Sequence, residues 1–342
     1  MTPRDLLIAG GGPTGLATAL YAVRAGLDVT VREPRVGTID KACGEGLMPG
    51  ALARLLDLGV DPAGQDLAGI RYVAEAGSAE TPFRAGHGRG VRRTTLHAAL
   101  REACLEAGVT MEPVAVSTVR PGPDHVLVDG DQFRYVVAAD GLHSHVRRMV
   151  GLDAPPVRLR RWGLRRHFTV QPWTAFVEVH WSPLAEAYVT PVGPKEVGVA
   201  MLSSVRRRYE DHLADFASLR DRLAEVPAGP VRGSGPLRQR SCARTAGRVL
   251  LVGDAAGYVD ALTGEGIALG LAQGALAVAA IAKGDPQEYE REWPALTRRY
   301  RWLTQGLVQA TRLSPVRASL VPIAERLPRL FDACVHAAAT SA

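Results

Sequence analysis

The sequence predicts an α/β chain with three parts: a parallel-sheet domain, a second domain built on an antiparallel sheet, and a helical C-terminal tail. Three observations carry this. An apolar strand runs into a glycine-rich turn within the first fifteen residues. Short runs rich in Val, Phe, Trp and Tyr recur between residues 162 and 202. From Gln287 onward the pattern is helical and punctuated by prolines.

The opening unit reads element by element. Leu6 to Ala9 is a strand, Leu16 to Ala25 an alanine-rich helix, and Asp28 to Glu33 a second strand ending in an acid. Between the first strand and the helix stand Gly10, Gly12 and Gly15. Gly10 allows the tight turn, Gly12 lets the main chain approach a pyrophosphate, and Gly15 lets helix and strand pack closely. The first-turn N–H groups and the helix dipole then face phosphate charge. Glu33 follows the glycines by about 20 residues, where a carboxylate accepts bonds from ribose hydroxyls. The unit is that of a Rossmann-like dinucleotide-binding domain.

Two later segments narrow the dinucleotide. Tyr135 to Asp140-Gly141 is an apolar strand ending in Asp-Gly, followed by a polar stretch to Arg148. Arg248 to Gly253-Asp254 is another strand, ending in Gly-Asp, and the glycine-rich helix start at Gly264-Glu-Gly266 comes next. In this combination the chain resembles the FAD-dependent oxidoreductases of the p-hydroxybenzoate hydroxylase and geranylgeranyl reductase-like type, over about residues 1–283. The resemblance implies an FAD-binding domain of glutathione-reductase type. It implies that Asp140, Gly141 and Gly253 are cofactor-binding, that Asp254 binds the ribityl hydroxyls and that the helix after Gly264 and Gly266 faces the pyrimidine end of the flavin. Arg93-Thr-Thr-Leu96 resembles the family's Arg-x-x-Leu helix start, whose arginine contacts the FAD pyrophosphate; Arg92 is read as a solvated surface charge. Asp40-Lys-Ala-Cys43-Gly44-Glu-Gly46 resembles the Cys-Gly segment beside the isoalloxazine, which makes Cys43 either a lining residue or a small buried filler.

The implied domains are discontinuous. Segments 1–70, 90–155 and 236–290 form the FAD-binding domain, 71–89 and 156–235 a substrate domain with a lid sheet, and 291–342 a helical tail. The lid strands are read at 162–170, 175–181, 187–191 and 196–202, followed by one helix from Tyr209 to Leu223. Tail helices are expected to break at Pro294, Pro315, Pro322 and Pro328. His143 and His145 are read as caps of the helix after Asp-Gly.

Composition sets limits. The 342 residues are 46% hydrophobic, with mean hydropathy near zero, which suits packed lobes rather than disorder. Cys43, Cys104, Cys242 and Cys334 are scattered, without a C-x-x-C pair, so neither a disulfide framework nor a metal site is expected. The strand follows Met-Thr-Pro-Arg-Asp at once, and the longest apolar stretch, 275–282, is too short to span a bilayer. A cytoplasmic protein, at most peripheral to a membrane, is the expectation. The charge of +6 comes from arginine clusters at 158–161, 165–166 and 206–208. No nucleic-acid module accompanies them, so nucleic acid is not expected as a partner. An anionic cosubstrate such as NAD(P)H, a carrier or a membrane surface fits the charge. The oligomeric state stays open.

The chemistry over the flavin is read from the lid. His167, Glu178, His180 and Tyr188 lie among apolar neighbours on its strands, and Glu178 and His180 share one face. That face is expected to be solvated. Cys43, Tyr188 and His180 are the candidate catalytic residues. The reductases' Tyr-x-Trp-x-Phe-Pro prenyl-contact segment is reduced here to Tyr188 and Pro191. The expected reaction is therefore NAD(P)H- and O2-dependent hydroxylation of a small aromatic or polyketide-like substrate. A flavin-dependent reductase of C=C bonds is the alternative, supported by Cys43-Gly44 and Gly264-Glu-Gly266. A non-catalytic FAD-binding scaffold is the third reading.

Overall fold

The computed structural model describes residues 3–74, 77–157 and 160–339, so Arg158 of the 158–161 cluster lies outside the described residues. Arg4–Ala9 runs parallel to Val29–Arg32 on one side and to Asp131–Ala138 on the other. Thr110–Glu112 and Val249–Leu251 extend this parallel sheet outward. Leu6, Leu7, Ile8, Val136, Val137 and Leu250 are fully buried, because both faces of the sheet are covered and continuous apolar runs result. Helix Pro13–Arg24 crosses helix Gly266–Ala282 in close contact: a Cβ on Gly270 or Gly274 would collide with Thr14 or Thr18.

Among the described residues the second sheet holds seven strands. Trp162–Phe168, Phe176–Trp181, Ala185–Gly193 and Glu196–Ser203 stand close to their expected places. The sheet is nevertheless mixed rather than antiparallel throughout. Gly69–Ala74, about a hundred residues upstream, adds parallel to Phe176–Trp181 and carries the hairpin partner Gly77–Pro82 with it. A strand delivered by a long crossover is free to enter in either direction, which hairpin-linked strands are not.

Two further expectations change. The helix read at 209–223 is two, Tyr209–Leu213 and Ala217–Leu223. The break lets Phe216, Leu219 and Leu223 join Tyr209 against the far face of the lid sheet. In the tail, Pro315 and Pro328 start helices as expected, but Pro286–Ala310 runs through Pro294, and Ser314–Arg326 runs through Pro322. An interior proline costs about 3 kcal/mol. In the longer helix Tyr289, Trp293, Thr297, Tyr300, Thr304 and Val308 form one buried stripe, and that burial outweighs the lost bond. Arg317 fixes the tail to the lid, its Nη2 lying 2.7 Å from Oε1 of the fully buried Glu186.

Candidate functional site

A cavity of about 1070 Å3 lies between the parallel sheet, the lid sheet and the tail helices. One arm is polar and is made by the glycine turn. Gly10, at φ +108°, could not carry a Cβ, which would lie 2.6 Å from the Ala139 carbonyl oxygen. On Gly15 a Cβ would collide with the Gly10 carbonyl oxygen, so strand and helix need a glycine there. Gly12 differs: its Cβ would meet only Arg93 Nη2, at 4.0 Å. Among the described residues no packing demands Gly12, and it opens onto the cavity.

Glu33 ends its strand beneath the turn. Its Oε2 accepts from the Gly11 N–H at 3.0 Å, and its Oε1 accepts from the Arg35 N–H at 3.0 Å and Nε at 2.8 Å. Burial alone would raise this carboxyl, but the hydrogen bonds from Arg35 and Gly11 outweigh it and hold the group below its ordinary range. Arg35 Nη2 also donates to Oε2, at 2.9 Å, so each oxygen already accepts two hydrogen bonds, three of the four from the half-exposed Arg35. His97, which the sequence reading did not single out, supports the same turn. Its Nδ1 accepts from the Ile39 N–H, so its Nε2 is the donor to the Gly11 carbonyl at 3.0 Å.

Arg93 stands where the resemblance places it, at the start of helix Arg93–Glu106 and buried beside Gly12. Its Nη1 meets no acceptor among the described residues. A buried guanidinium with an unmet donor at a glycine turn fits a pyrophosphate oxygen. Arg92 is not free on the surface: its Nη1 pairs with Glu196 Oε1 at 2.8 Å.

The two aspartates differ. Asp254 lines the cavity from the single turn Gly253–Ala256, with Lys41 Nζ 3.5 Å away. Asp140 also borders the cavity, but its carboxylate caps a helix. It accepts from Ser144 Oγ at 2.5 Å and from the His145 and Val146 N–H groups at 2.7 and 3.1 Å. Ser144 Oγ in turn accepts from Arg147 N, so the cap is made by Asp140 and Ser144, not by the imidazoles of His143 and His145. Gly141 takes φ +84° at the turn between them. Gly264, at φ +71°, and Gly266, which opens helix Gly266–Ala282, border the cavity with Asp254.

The Cys43 segment is held by a buried network that the sequence did not disclose. Glu45, at φ +61° and almost fully buried, accepts from the Arg93 main-chain N–H at 2.8 Å and lies 2.6 Å from His167 Nε2. Arg165 Nη1 donates to His167 Nδ1 at 2.9 Å, so Nε2 carries the proton toward Glu45. Arg165 also pairs with Asp40, which accepts from Arg232 Nε at 3.0 Å. Cys43 faces the cavity, and its Sγ accepts from the Glu45 N–H at 3.4 Å. Burial and then the Glu45 charge push the thiol up, so it keeps its proton at neutral pH. The one sequence signal for Glu45 was its place between Gly44 and Gly46.

Tyr188 lines the cavity from the lid and donates through Oη to the Leu262 carbonyl at 3.0 Å. His180 does not join it. Glu178 and His180 share a face, but it is the far face of the sheet and it is buried, not solvated. Across the strand pair they oppose Val189 and Ala187, which pack under the helices of 209–223. Glu178 accepts from Trp173 Nε1 at 3.0 Å, pairs with Arg71 at 3.3 Å, and lies 3.2 Å from His180 Nε2. His180 therefore leaves the set of candidate catalytic groups.

The second arm of the cavity is apolar. Ile70, Tyr72 and Val179 of the lid face Leu307, Leu320 and Phe331 of the tail helices across it. Among the described residues there is no group of three or more metal-ligating side chains.

No known family profile matches the chain. It is 30% identical over 337 residues to the menaquinone reductase of Mycobacterium tuberculosis, which covers 85% of this chain and 79% of that protein. It is 30% identical over 301 residues to the 2-heptyl-3-hydroxy-4(1H)-quinolone synthase of Pseudomonas aeruginosa, with 78% of each chain covered. Among solved structures, a geranylgeranyl bacteriochlorophyll reductase-like protein of Thermoplasma acidophilum shares the fold, with TM-score 0.79 at 20% identity over 94% of this chain and 91% of that one.

Proposed function

The chain belongs to the FAD-dependent oxidoreductases of the p-hydroxybenzoate hydroxylase and geranylgeranyl reductase superfamily, and from that premise we propose that it uses FAD to saturate a C=C bond of a long apolar substrate. Membership makes it a flavin oxidoreductase, so the scaffold reading falls. The polar arm suits FAD: Arg93 and the Gly10–Gly12 turn for the pyrophosphate, Glu33 for the ribose, Asp254 for the ribityl hydroxyls, and the helix start at Gly264 and Gly266 for the pyrimidine end. Asp140 serves the site by capping the helix that borders it.

The observation that carries the reductase reading is the apolar arm. Ile70, Tyr72 and Val179 meet Leu307, Leu320 and Phe331 there, beyond the part of the cavity that the polar arm gives to FAD. Hydroxylation gained weight from the sequence because the prenyl-contact segment around Tyr188 is eroded. The tail helices supply the apolar wall that this segment lacks. The similarity to a menaquinone reductase points the same way.

When bound, the flavin supplies a hydride that it takes from NAD(P)H. The protein does the rest. The apolar arm excludes water and aligns the chain of the substrate. Cys43 Sγ, held protonated, keeps a proton at the cavity wall. The Glu45–His167–Arg165 network fixes the Cys43-Gly44 main chain in place.

Hydroxylation remains the second reading, favoured by the equal identity to the quinolone synthase. One experiment separates the two. The FAD-loaded protein is supplied anaerobically with NADH or NADPH and a short-chain menaquinone. After the naphthoquinone ring is reoxidised in air, a product still heavier by two hydrogens is expected. Product formation only in air, with 18O incorporated from labelled O2, would overturn the reductase reading.

A further inference from the structure

We infer that the rim where the apolar arm opens between the tail helices is a docking face for an anionic lipid bilayer. Trp302, Ile323, Leu327 and Leu330 all line the cavity, yet they are 74, 45, 52 and 54% exposed. Single exposed apolar side chains are ordinary. Four that ring one opening, drawn from three consecutive helices, form a patch with a purpose.

The charge around the rim selects the occupant. From residue 298 to the end of the described chain there are seven arginines, no lysine, and only Glu325 and Asp332 as acids. Arg298 and Arg299 lie one helical turn before Trp302, Arg312 follows the same helix, and Arg326 and Arg329 flank Leu327 and Leu330. All five are exposed, and none forms an ion pair with a described residue. Elsewhere on the lid, arginines such as Arg71 and Arg166 are paired with acids.

An indole and aliphatic side chains within a girdle of guanidinium groups match the boundary between acyl chains and phosphate headgroups. A second copy of this chain fits poorly, because a two-fold contact would set the unpaired arginines of one copy against those of the other. No described helix is long and apolar enough to cross a membrane, so the contact is with one leaflet. An apolar molecule would then pass from bilayer to cavity without crossing water. The inference rests on the rim and holds whichever reaction the flavin performs.

The test is co-sedimentation with vesicles, using the full chain loaded with FAD. Binding is expected to vesicles of equal phosphatidylcholine and phosphatidylglycerol, to weaken as salt rises, and to be absent with phosphatidylcholine alone. Tryptophan emission should shift to the blue on binding, and Trp302→Phe should lose most of that shift. Each arginine neutralised near an anionic surface weakens binding about fivefold, so Arg298→Gln with Arg299→Gln should lower partitioning about thirtyfold. The pair Arg326→Gln with Arg329→Gln tests the same face from another helix should the first pair fold poorly. Arg220→Gln, on the lid's far side, should change nothing. Failure to bind the anionic vesicles, or binding unchanged in both arginine pairs, overturns the inference. So does a monomer–dimer equilibrium abolished by Trp302→Ser without any response to lipid, which would give the face to a second copy.

Discussion

Replacing Arg93 by methionine should have effects of opposite sign in the empty and the loaded protein. Methionine keeps most of the stem and removes the guanidinium. The main-chain N–H of residue 93 continues to donate to Glu45, so the helix start is retained. Burial is the main reason this guanidinium sits below the usual arginine range, and its Nη1 has no acceptor among the described residues. An unmet buried donor costs ~1–3 kcal/mol. The apoprotein of Arg93→Met should therefore melt no lower than the parent, and up to several degrees higher. With FAD the sign reverses. A charge-assisted hydrogen bond is worth ~1.5–3 kcal/mol, which weakens FAD binding by about 10- to 150-fold. Differential scanning fluorimetry of apoprotein and quenching of flavin fluorescence measure the two limbs. Riboflavin supplies the control: it lacks the pyrophosphate, so its affinity should be the same in parent and variant. Equal FAD affinity in Arg93→Met would remove Arg93 from the site, and an equal loss for riboflavin would show that it acts through the fold.

Gly12→Ala and Gly15→Ala should separate binding from folding: Gly15→Ala should lose about 3 kcal/mol or more of stability, whereas Gly12→Ala should melt like the parent apoprotein and bind FAD more weakly. Chemical denaturation beside a flavin titration reads both, and equal destabilisation of the two would contradict the geometry. Glu33 has a folded pKa below its unfolded value, so its contribution is complete above the ordinary carboxylate range near ~4 and is lost as pH falls through that range and below. Glu33→Gln should flatten the acid limb of a melting-temperature profile and leave the slope above pH ~6 unchanged; an unaltered acid limb would deny the depressed value. His180→Ala should cost ~1–3 kcal/mol of stability through the buried pair with Glu178 while turnover per folded molecule stays at the parent level; a selective loss of turnover would return His180 to the catalytic set.

Local chemistry made much of this protein legible in one dimension. Gly10, Gly12, Gly15 and Glu33 lie within 24 residues, and their spacing is imposed by one turn and one strand pair. Arg93 was singled out by the resemblance of Arg93-Thr-Thr-Leu96 to a family helix start, and the lid strands by β-branched and aromatic runs between turns. Tertiary packing decided the rest. Period two put Glu178 and His180 on one face, but only the helices of 209–223 decided that this face is buried and turned from the cavity. Glu45 and His167 stand 122 residues apart, and no local pattern announces a hydrogen bond between them. Asp140 came from the resemblance, and only the fold shows that its carboxylate also caps the helix after it through the Ser144 hydroxyl and two main-chain N–H groups. The apolar arm exists only where the tail returns to the lid sheet, held by Arg317 and Glu186 across 131 residues. Short-range sterics and hydrogen bonding fix a turn from its own residues, whereas a cavity wall is fixed by which distant surfaces bury one another.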